Sequence, residues 1–377
     1  GFSRLPPSRG MEYTQPSVAT LHDFGSVQVA VPLEKVTVVV PMTAREAMTL
    51  PTERVLQTLE GMGPAGVVIP LRCAAAELPA TTAWLRRFDL PLTLLWCDGP
   101  QIGQLLADAD LAGPRGKGRD VWLGLGVAAA ASEYVVVHDA DTISYDASYV
   151  HRLAYPLTAG YGFSKAYYAR IEDRRLYGRL VRLLFAPLLS AVAEAHHTSF
   201  VRYLRSFHYP LAGEFAATAR VVGALRPPRT WGLEVGTLAD AFDLVGPSAT
   251  AQVDLGRYEH HHRAVSGPAG LEAMAEAVAG TIMSVLADHG VVVDPTDVSG
   301  PYREAAMAVV DRYALDASFN GLRYDRAAEV EQVTAYTTAI EAAIPPERMP
   351  AWDDVDLTPA AVTAASAAAL AEQGSSG

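Results

Sequence analysis

Two aspartates one residue apart, Asp139 and Asp141, close the short apolar run Tyr134-Val-Val-Val137. Four such residues behind an Ala-rich stretch read as a buried parallel strand. The carboxyl end of such a strand is where open α/β sheets take their ligands. If the strand continues, both carboxylates share one orientation; if it ends there, they form a small acidic turn. Either way two anions lie close together, which is costly unless a cation joins them. A hard divalent metal carrying phosphate oxygens is the usual solution. The structural alternative is a turn or a helix cap, where acidic pairs are also common.

Other segments offer groups that could complete such a site. Gly113-Pro-Arg-Gly-Lys-Gly118 precedes a helix. It lacks the Ser or Thr that closes a Walker loop, but offers backbone N–H groups, a cation and a helix N-terminus, all suited to phosphate. Only Lys35, Lys117 and Lys165 are lysine among 30 basic residues. A position that keeps lysine against that bias is a candidate for needing a compact, flexible point charge. Lys35, just before a strand, is read as chance, whereas Lys117 and Lys165 lie inside motifs. In Tyr258-Glu-His-His-His-Arg263 three adjacent histidines cannot all face one metal. One of them, with its second neighbour, could reach inward as a neutral imidazole ligand. Glu214 and Glu234 sit in small or apolar surroundings, as anchors for arginine or ligands for sugar hydroxyls. Arg179, after Gly178, can hold a carboxylate or phosphate bidentately.

The elements that must position these groups alternate along the chain. Strands are expected at Val36–Val40, Gly66–Leu71, Pro91–Trp96, Tyr134–Val137 and Ala251–Leu255. Helices are expected over Thr52–Gly61, Thr81–Phe88, Gln101–Ala107 and Arg119–Ala131. That rhythm predicts a mostly parallel α/β sheet with right-handed crossovers. Residues 1–30 read as an irregular N-terminal arm, 31–145 as a nucleotide-sugar-binding half and 146–266 as an acceptor half of helices and loops. Residues 267–377 read as a helical C-terminal extension, with helices over 270–290 and 301–345 and a frayed Ala/Ser-rich tail from 358.

The 377 residues are half hydrophobic and 19% charged, enough for a sizeable core. A net charge of −12 argues against a nucleic-acid surface, while leaving room for a locally basic pocket. Cys73 and Cys97 match no disulfide framework or zinc pattern and read as buried thiols in a reducing cytoplasm. No apolar run reaches the ~18 residues of a membrane span, so no membrane partner is expected.

Taken in order, these segments resemble glycosyltransferase family 81, the glucosyl- and mannosyl-3-phosphoglycerate synthases. The resemblance spans residues 36–265 and rests on an ordered set. It comprises the Val-Val-Val-Pro41 strand end, Gly116-Lys-Gly118, Asp139-Ala-Asp141, and Lys165 with its following aromatics. It continues through Gly178-Arg179 with Pro187-Leu-Leu, Pro210-Leu-Ala-Gly-Glu214, Trp231-Gly-Leu-Glu234, and Gln252-Val-Asp-Leu-Gly256 followed by His260. The chain departs from the family pattern at Arg45, Val181, Trp231 and Tyr258.

The resemblance implies a GT-A type Rossmann-like domain and a retaining hexosyltransferase. It implies a nucleotide-sugar donor (GDP-mannose, GDP-glucose or UDP-glucose), a 3-phosphoglycerate acceptor and Mg²⁺ or Mn²⁺. Pro41, Met42, Thr43, Lys117 and Asp139 would serve the nucleotide, and Asp141 with His260 the metal. Glu234, Glu214 and Leu211 would serve the sugar, and Gly178, Arg179 and His262 the acceptor. Asp139, Asp141, Lys117 and Glu234 would carry the catalysis. A homodimer is expected, with the Ala-rich C-terminus able to pack between subunits. A sugar nucleotidyltransferase is the competing enzyme class, but Pro41-Met-Thr-Ala-Arg-Glu46 lacks its Gly-rich base loop. A degenerate binding protein would have lost an acidic or histidine ligand, and none is lost.

Overall fold

The structure, a computed structural model, describes residues 15–25, 27–257, 259 and 267–375. In chain order its strands are β1 (Ala19–Leu21), β2 (Val36–Val39), β3 (Met42–Thr43), β4 (Gly66–Arg72), β5 (Leu92–Trp96), β6 (Tyr134–Val137), β7 (Phe163–Ala169), β8 (Ile171–Glu172), β9 (Arg175–Leu176), β10 (Phe215–Thr218) and β11 (Thr250–Arg257). The helices are α1 (Leu50–Met62), α2 (Leu78–Leu85), α3 (Pro100–Asp108), α4 (Lys117–Ala131), α5 (Ser148–Thr158), α6 (Ala186–Ala195), α7 (Ser199–Arg205), α8 (Ala219–Ala224), α9 (Leu233–Leu244), α10 (Gly267–Asp288), α11 (Pro295–Phe319), α12 (Arg326–Glu341) and α13 (Pro359–Ser375).

Among the described residues one nine-stranded sheet runs β1-β11-β7-β10-β6-β2-β4, with β3 and β5 also on β4. The expected parallel pairing holds except at β10, which is antiparallel to β6 and to β7. Strand β3 continues β2. Thr37 lies opposite Gly66 and Met42 opposite Leu71, the same register on both sides of Pro41. Pro41 has no N–H to give the ladder, so it interrupts the pairing without ending the strand. The valines of β6 are buried on both faces: Val135 and Val137 enter a core with α4, Val136 a second core with α5. That is why this strand reads as an unbroken apolar run.

Several expectations need correcting. The N-terminal arm, expected to be irregular, contributes β1, which pairs in parallel with β11 and forms an edge of the sheet. Residues 146–266, expected as helices and loops apart from the strand at Ala251–Leu255, supply β7 and β10 to the same sheet in addition to β11. The helical periodicity over 301–345 resolves into two helices, α11 and α12, whereas α2, expected from Thr81, starts at Leu78 with a proline in its first turn. The tail expected to fray forms α13. Alanine is the best helix former, and its small side chain lets α13 lie close to β5. There Ser366 Oγ donates to Leu94 O (3.0 Å) and accepts from Trp96 N–H (2.9 Å). Val362 and Ala369 are buried in the two cores. No helix among the described residues is long and apolar enough to cross a membrane.

The extension also braces α4. Trp352 stacks on Trp122 with ring centroids 4.1 Å apart, and its indole N–H donates to Trp122 O (2.9 Å). A Cβ on Gly126 would stand 2.2 Å from the Trp352 ring, so only glycine admits this stack.

Candidate active site

Strand β6 ends at Val137, so the acidic pair lies beyond it and the chain bends at Ala140. The turn alternative is therefore the one formed. His138 fixes the start of that turn. Its Nδ1 lies 2.9 Å from Asp139 O, and its Nε2 lies 2.9 Å from the Tyr145 hydroxyl. A carbonyl can only accept, so Nδ1 carries the proton and Nε2 accepts from Tyr145. Burial pushes this imidazole down to about 4, which keeps it neutral at pH 7 as both bonds require. His138 carries no signal in the sequence, because nothing there marks Tyr145 as its partner.

Asp141 is buried and Asp139 partly so. Asp139 Oδ1 accepts from Lys117 Nζ at 2.9 Å. Lys117 opens α4, and two glycines allow that helix to start where it does. A Cβ on Gly118 would fall 1.7 Å from Pro228 O, and one on Gly116 2.6 Å from Thr230 Cα. The Gly-rich segment is thus pressed onto residues 228–230, and Arg119 N–H donates to Arg229 O (2.9 Å). The same stretch leads through Gly232 (φ 95°) into α9, with Glu234 in its first turn. Behind it, Arg229 pairs with Glu347 (2.8 Å) and Met349 N–H donates to Pro227 O (2.8 Å). The C-terminal extension therefore holds the loop that carries Glu234 against the helix that carries Lys117.

Burial alone would lower the Lys117 ammonium, but the carboxylates of Asp139, Glu234 and Glu214 outweigh it and raise its pKa. Lys165, wholly buried on β7, responds differently. Burial pushes it down to about 8, against the opposing pull of Glu234 and Glu214. Its Nζ donates to Ala212 O (2.5 Å). Glu214 is also wholly buried and accepts from the Tyr168 hydroxyl (3.0 Å). A Cβ on Gly213 would lie 3.1 Å from Asp139 Oδ2, so the 209–214 loop forms the back wall of the acidic turn. Leu211, in that loop, is half-buried. The structure thus gathers Lys117, Asp139, Glu214 and Glu234 around one another, with Lys165 behind them.

Met42 is buried in a core and Thr43 half-buried. Thr43 N–H donates to Glu46 Oε2 (2.6 Å), while its hydroxyl oxygen is buried without a hydrogen-bond partner among the described residues. Pro41 lies between β2 and β3, one strand over from Asp139. Gly178, at φ 77°, is seated against Tyr209, whose hydroxyl would be 2.8 Å from a Cβ there. Tyr209 packs on Tyr168 with centroids 4.7 Å apart, linking the Gly178 turn to Glu214. Arg179 is not an open guanidinium: its Nε lies 3.3 Å from Glu329 Oε1 of α12. Arg182, in the π-helical turn Leu180–Phe185 that follows, holds the same carboxylate through two bonds of 2.8 and 3.1 Å.

His260 and His262 lie outside the described residues, as does Tyr258. Glu259 is described, and its backbone is tied to the loop after Asp141. Ile143 N–H donates to Glu259 O (2.8 Å), and Glu259 N–H donates to Ser144 Oγ (2.9 Å). Among the described residues no group of three or more His, Cys, Asp or Glu side chains could hold a metal. The two carboxylates of the turn, one of them buried, are nevertheless the hard oxygen donors that Mg²⁺ and Mn²⁺ take. The donor set fits such an ion, with the third expected ligand, His260, outside the described residues.

No family model matches the chain. It is 31% identical over 366 residues to the glucosyl-3-phosphoglycerate synthase of Methanococcoides burtonii, an alignment covering 88% of this chain and 89% of that protein. It is 32% identical over 288 residues to the enzyme of the same name from Persephonella marina, covering 72% and 71%. Its fold is similar to a crystal structure of glucosyl-3-phosphoglycerate synthase from Mycobacterium tuberculosis in complex with Mn²⁺, UDP-glucose and phosphoglyceric acid. That match has a TM-score of 0.55 at 25% identity, covering 72% of this chain and 88% of the other. The chain belongs to the glucosyl-3-phosphoglycerate synthase family and is a metal-dependent glycosyltransferase of GT-A fold.

Proposed function

We propose that this member of the family transfers glucose from UDP-glucose to 3-phosphoglycerate, with retention of configuration. The observation that carries the reading is the Lys117–Asp139 contact of 2.9 Å beside the buried Asp141. A cation beside two oxygen ligands is the arrangement that a departing nucleoside diphosphate and its metal would use. Asp141, with Asp139 beside it and His260, would hold the metal. Bound there, a divalent cation supplies positive charge against the departing diphosphate. Lys117 adds a second cation to the same oxygens. Pro41, Met42 and Thr43 would border the base through backbone and the buried Thr43 hydroxyl. Glu234, Glu214 and Leu211 would hold the sugar, and Gly178, Arg179 and His262 the acceptor. No protein carboxylate is assigned as a nucleophile. The acceptor hydroxyl approaches on the face the diphosphate leaves, and its proton passes to a diphosphate oxygen.

Sharing of Glu329 between Arg179 and Arg182 supports a fixed rather than mobile acceptor grip. The reading includes a cytoplasmic location, in keeping with the free, buried Cys73 and Cys97, and a homodimer measurable by light scattering. The test is a donor panel of UDP-glucose, GDP-glucose and GDP-mannose, each offered with 3-phosphoglycerate or glycerate and Mg²⁺, following released nucleoside diphosphate. UDP-glucose with 3-phosphoglycerate is the expected pair. Turnover confined to a GDP-sugar, or to glycerate, would overturn it.

A further inference from the structure

A cavity of about 280 Å³ lies where the β8–β9 hairpin meets the turn joining α11 to α12. Its lining includes Arg175, Arg179, Arg323, Tyr324, Asp325 and Glu329. Resting on the acceptor reading above, we propose that Arg175 and Arg323 join Arg179 in binding the anionic groups of the acceptor. The C-terminal extension would then supply part of the substrate site.

The charge balance singles out these two arginines. Glu329 is taken by Arg182 and Arg179, and Asp325 caps α12 by accepting from Ala328 N–H (3.0 Å). Arg179 and Arg182 together only balance Glu329 and Asp325. The surplus positive charge that would draw in a carboxylate or phosphate comes from Arg175 and Arg323. Both side chains are exposed and make no ion pair among the described residues. Guanidinium groups in that state are available for bidentate contact with such an anion.

Their backbones are fixed relative to each other. Arg175 and Arg323 form a β-bridge, and Arg323 N–H donates to Arg174 O (2.6 Å). Arg174 Nη2 in turn donates to Gly321 O (2.6 Å). The hairpin turn has Asp173 at φ 46° and Arg174 at φ 58°, a left-handed conformation that non-glycine residues seldom adopt. A strained turn of this kind persists only where its surroundings hold it, and the extension does so here. Gly178, three residues beyond Arg175, rests on Tyr209, which connects through Tyr168 to Glu214. The cavity is thus joined by direct packing to the wall of the acidic turn.

Inorganic phosphate, titrated calorimetrically into the full chain, is the direct probe, followed by steady-state kinetics with each substrate varied. Arg323→Ala and Arg175→Ala should each bind phosphate roughly tenfold more weakly, the loss of one charge-assisted contact. The acceptor KM should rise by a similar factor while the donor KM stays. Unchanged melting temperatures would separate this from unfolding, and Arg323→Lys should recover part of the loss. No phosphate binding by the intact chain, or equal binding by chain and variants, would overturn the cavity. Weaker phosphate binding with an unchanged acceptor KM would overturn its link to the acceptor. If phosphate behaves as expected but 3-phosphoglycerate is not turned over, the substrate reading fails and the anion site stands.

Discussion

Arginine in place of lysine at 117 keeps the charge and changes only its shape, which makes it the most discriminating perturbation of the site. Lys117 Nζ has three N–H groups. One is given to Asp139 Oδ1 at 2.9 Å, and the other two have no partner among the described residues. Those two are what a departing diphosphate would use. The flanking Gly116 and Gly118 are pressed onto residues 228–230, so the backbone cannot retreat to make room for a longer, planar head. Lys117→Arg should therefore keep a cation near Asp139 but aim it wrongly, lowering donor kcat/KM by roughly 10- to 100-fold, about 1.4–2.8 kcal/mol. Lys117→Met removes the charge altogether and should cost kcat roughly 10²- to 10³-fold. It also removes the Lys117–Asp139 contact, at about 1–3 kcal/mol of folding stability. Lys35→Arg is the control: that lysine pairs with Glu133 on the surface, with 49% of its side chain exposed, and should be silent in both respects. The assay is donor-varied initial rates with urea denaturation of each variant. Equal, small changes for Lys117→Arg and Lys35→Arg would refute the argument that a compact ammonium is required.

Three further outcomes follow from the same geometry. Asp141→Asn should lose most transfer, and Mn²⁺ titration followed by electron paramagnetic resonance should show weakened metal binding; wild-type Mn²⁺ affinity would remove Asp141 from the metal site. Gly118→Ala should destabilise the fold by about 3 kcal/mol or more, since its Cβ would fall 1.7 Å from Pro228 O; a wild-type denaturation midpoint would contradict that packing. Lys165, with its folded pKa pushed down to about 8 from the ordinary 10.5, gives a pH test. Between those values the unfolded chain holds a proton that the folded chain lacks, so stability rises with pH across the window and is lost as pH falls from 10.5 to about 8. Relative to Lys165→Met, the wild type should therefore gain up to about 3 kcal/mol between pH 7.5 and 10.5, and a flat difference in chemical denaturation would show that Lys165 is not depressed.

The parts of the fold that sequence exposed are those whose signal is local. Val36–Val39 and Val135–Val137 are β-branched runs buried on both faces, and the structure pairs their strands directly with each other. Asp139 and Asp141 were visible because a strand end announced them. Lys117 was visible because a Gly-rich run preceded a helix and lysine is rare in this chain. The C-terminal tail reads as frayed because Ala and Ser carry little hydrophobic periodicity. What orders it is tertiary: the Ser366 bonds to β5, and the burial of Val362 and Ala369.

The less legible half of the site traces to one strand. Phe215-Ala-Ala-Thr218 is too short and too alanine-rich to read as β structure, and it borders a helix at Ala219. In the fold it inserts between β6 and β7 and runs against both. Its first residue, Phe215, therefore lies opposite Val137, the last of β6, and opposite Lys165 of β7. Antiparallel insertion of this kind delivers whatever precedes the strand to the carboxyl ends of its parallel neighbours. That is how Gly213 arrives behind Asp139, and how Glu214 comes to lie near Lys117 and Lys165. A parallel β10 would have sent the 209–214 loop to the opposite edge of the sheet and left the acidic turn without its back wall. Glu214 and Glu234 read equally well as arginine anchors or sugar ligands because residue type cannot choose between those roles. The direction of a four-residue strand sets the surroundings of Glu214, and the glycine contacts of α4 set those of Glu234.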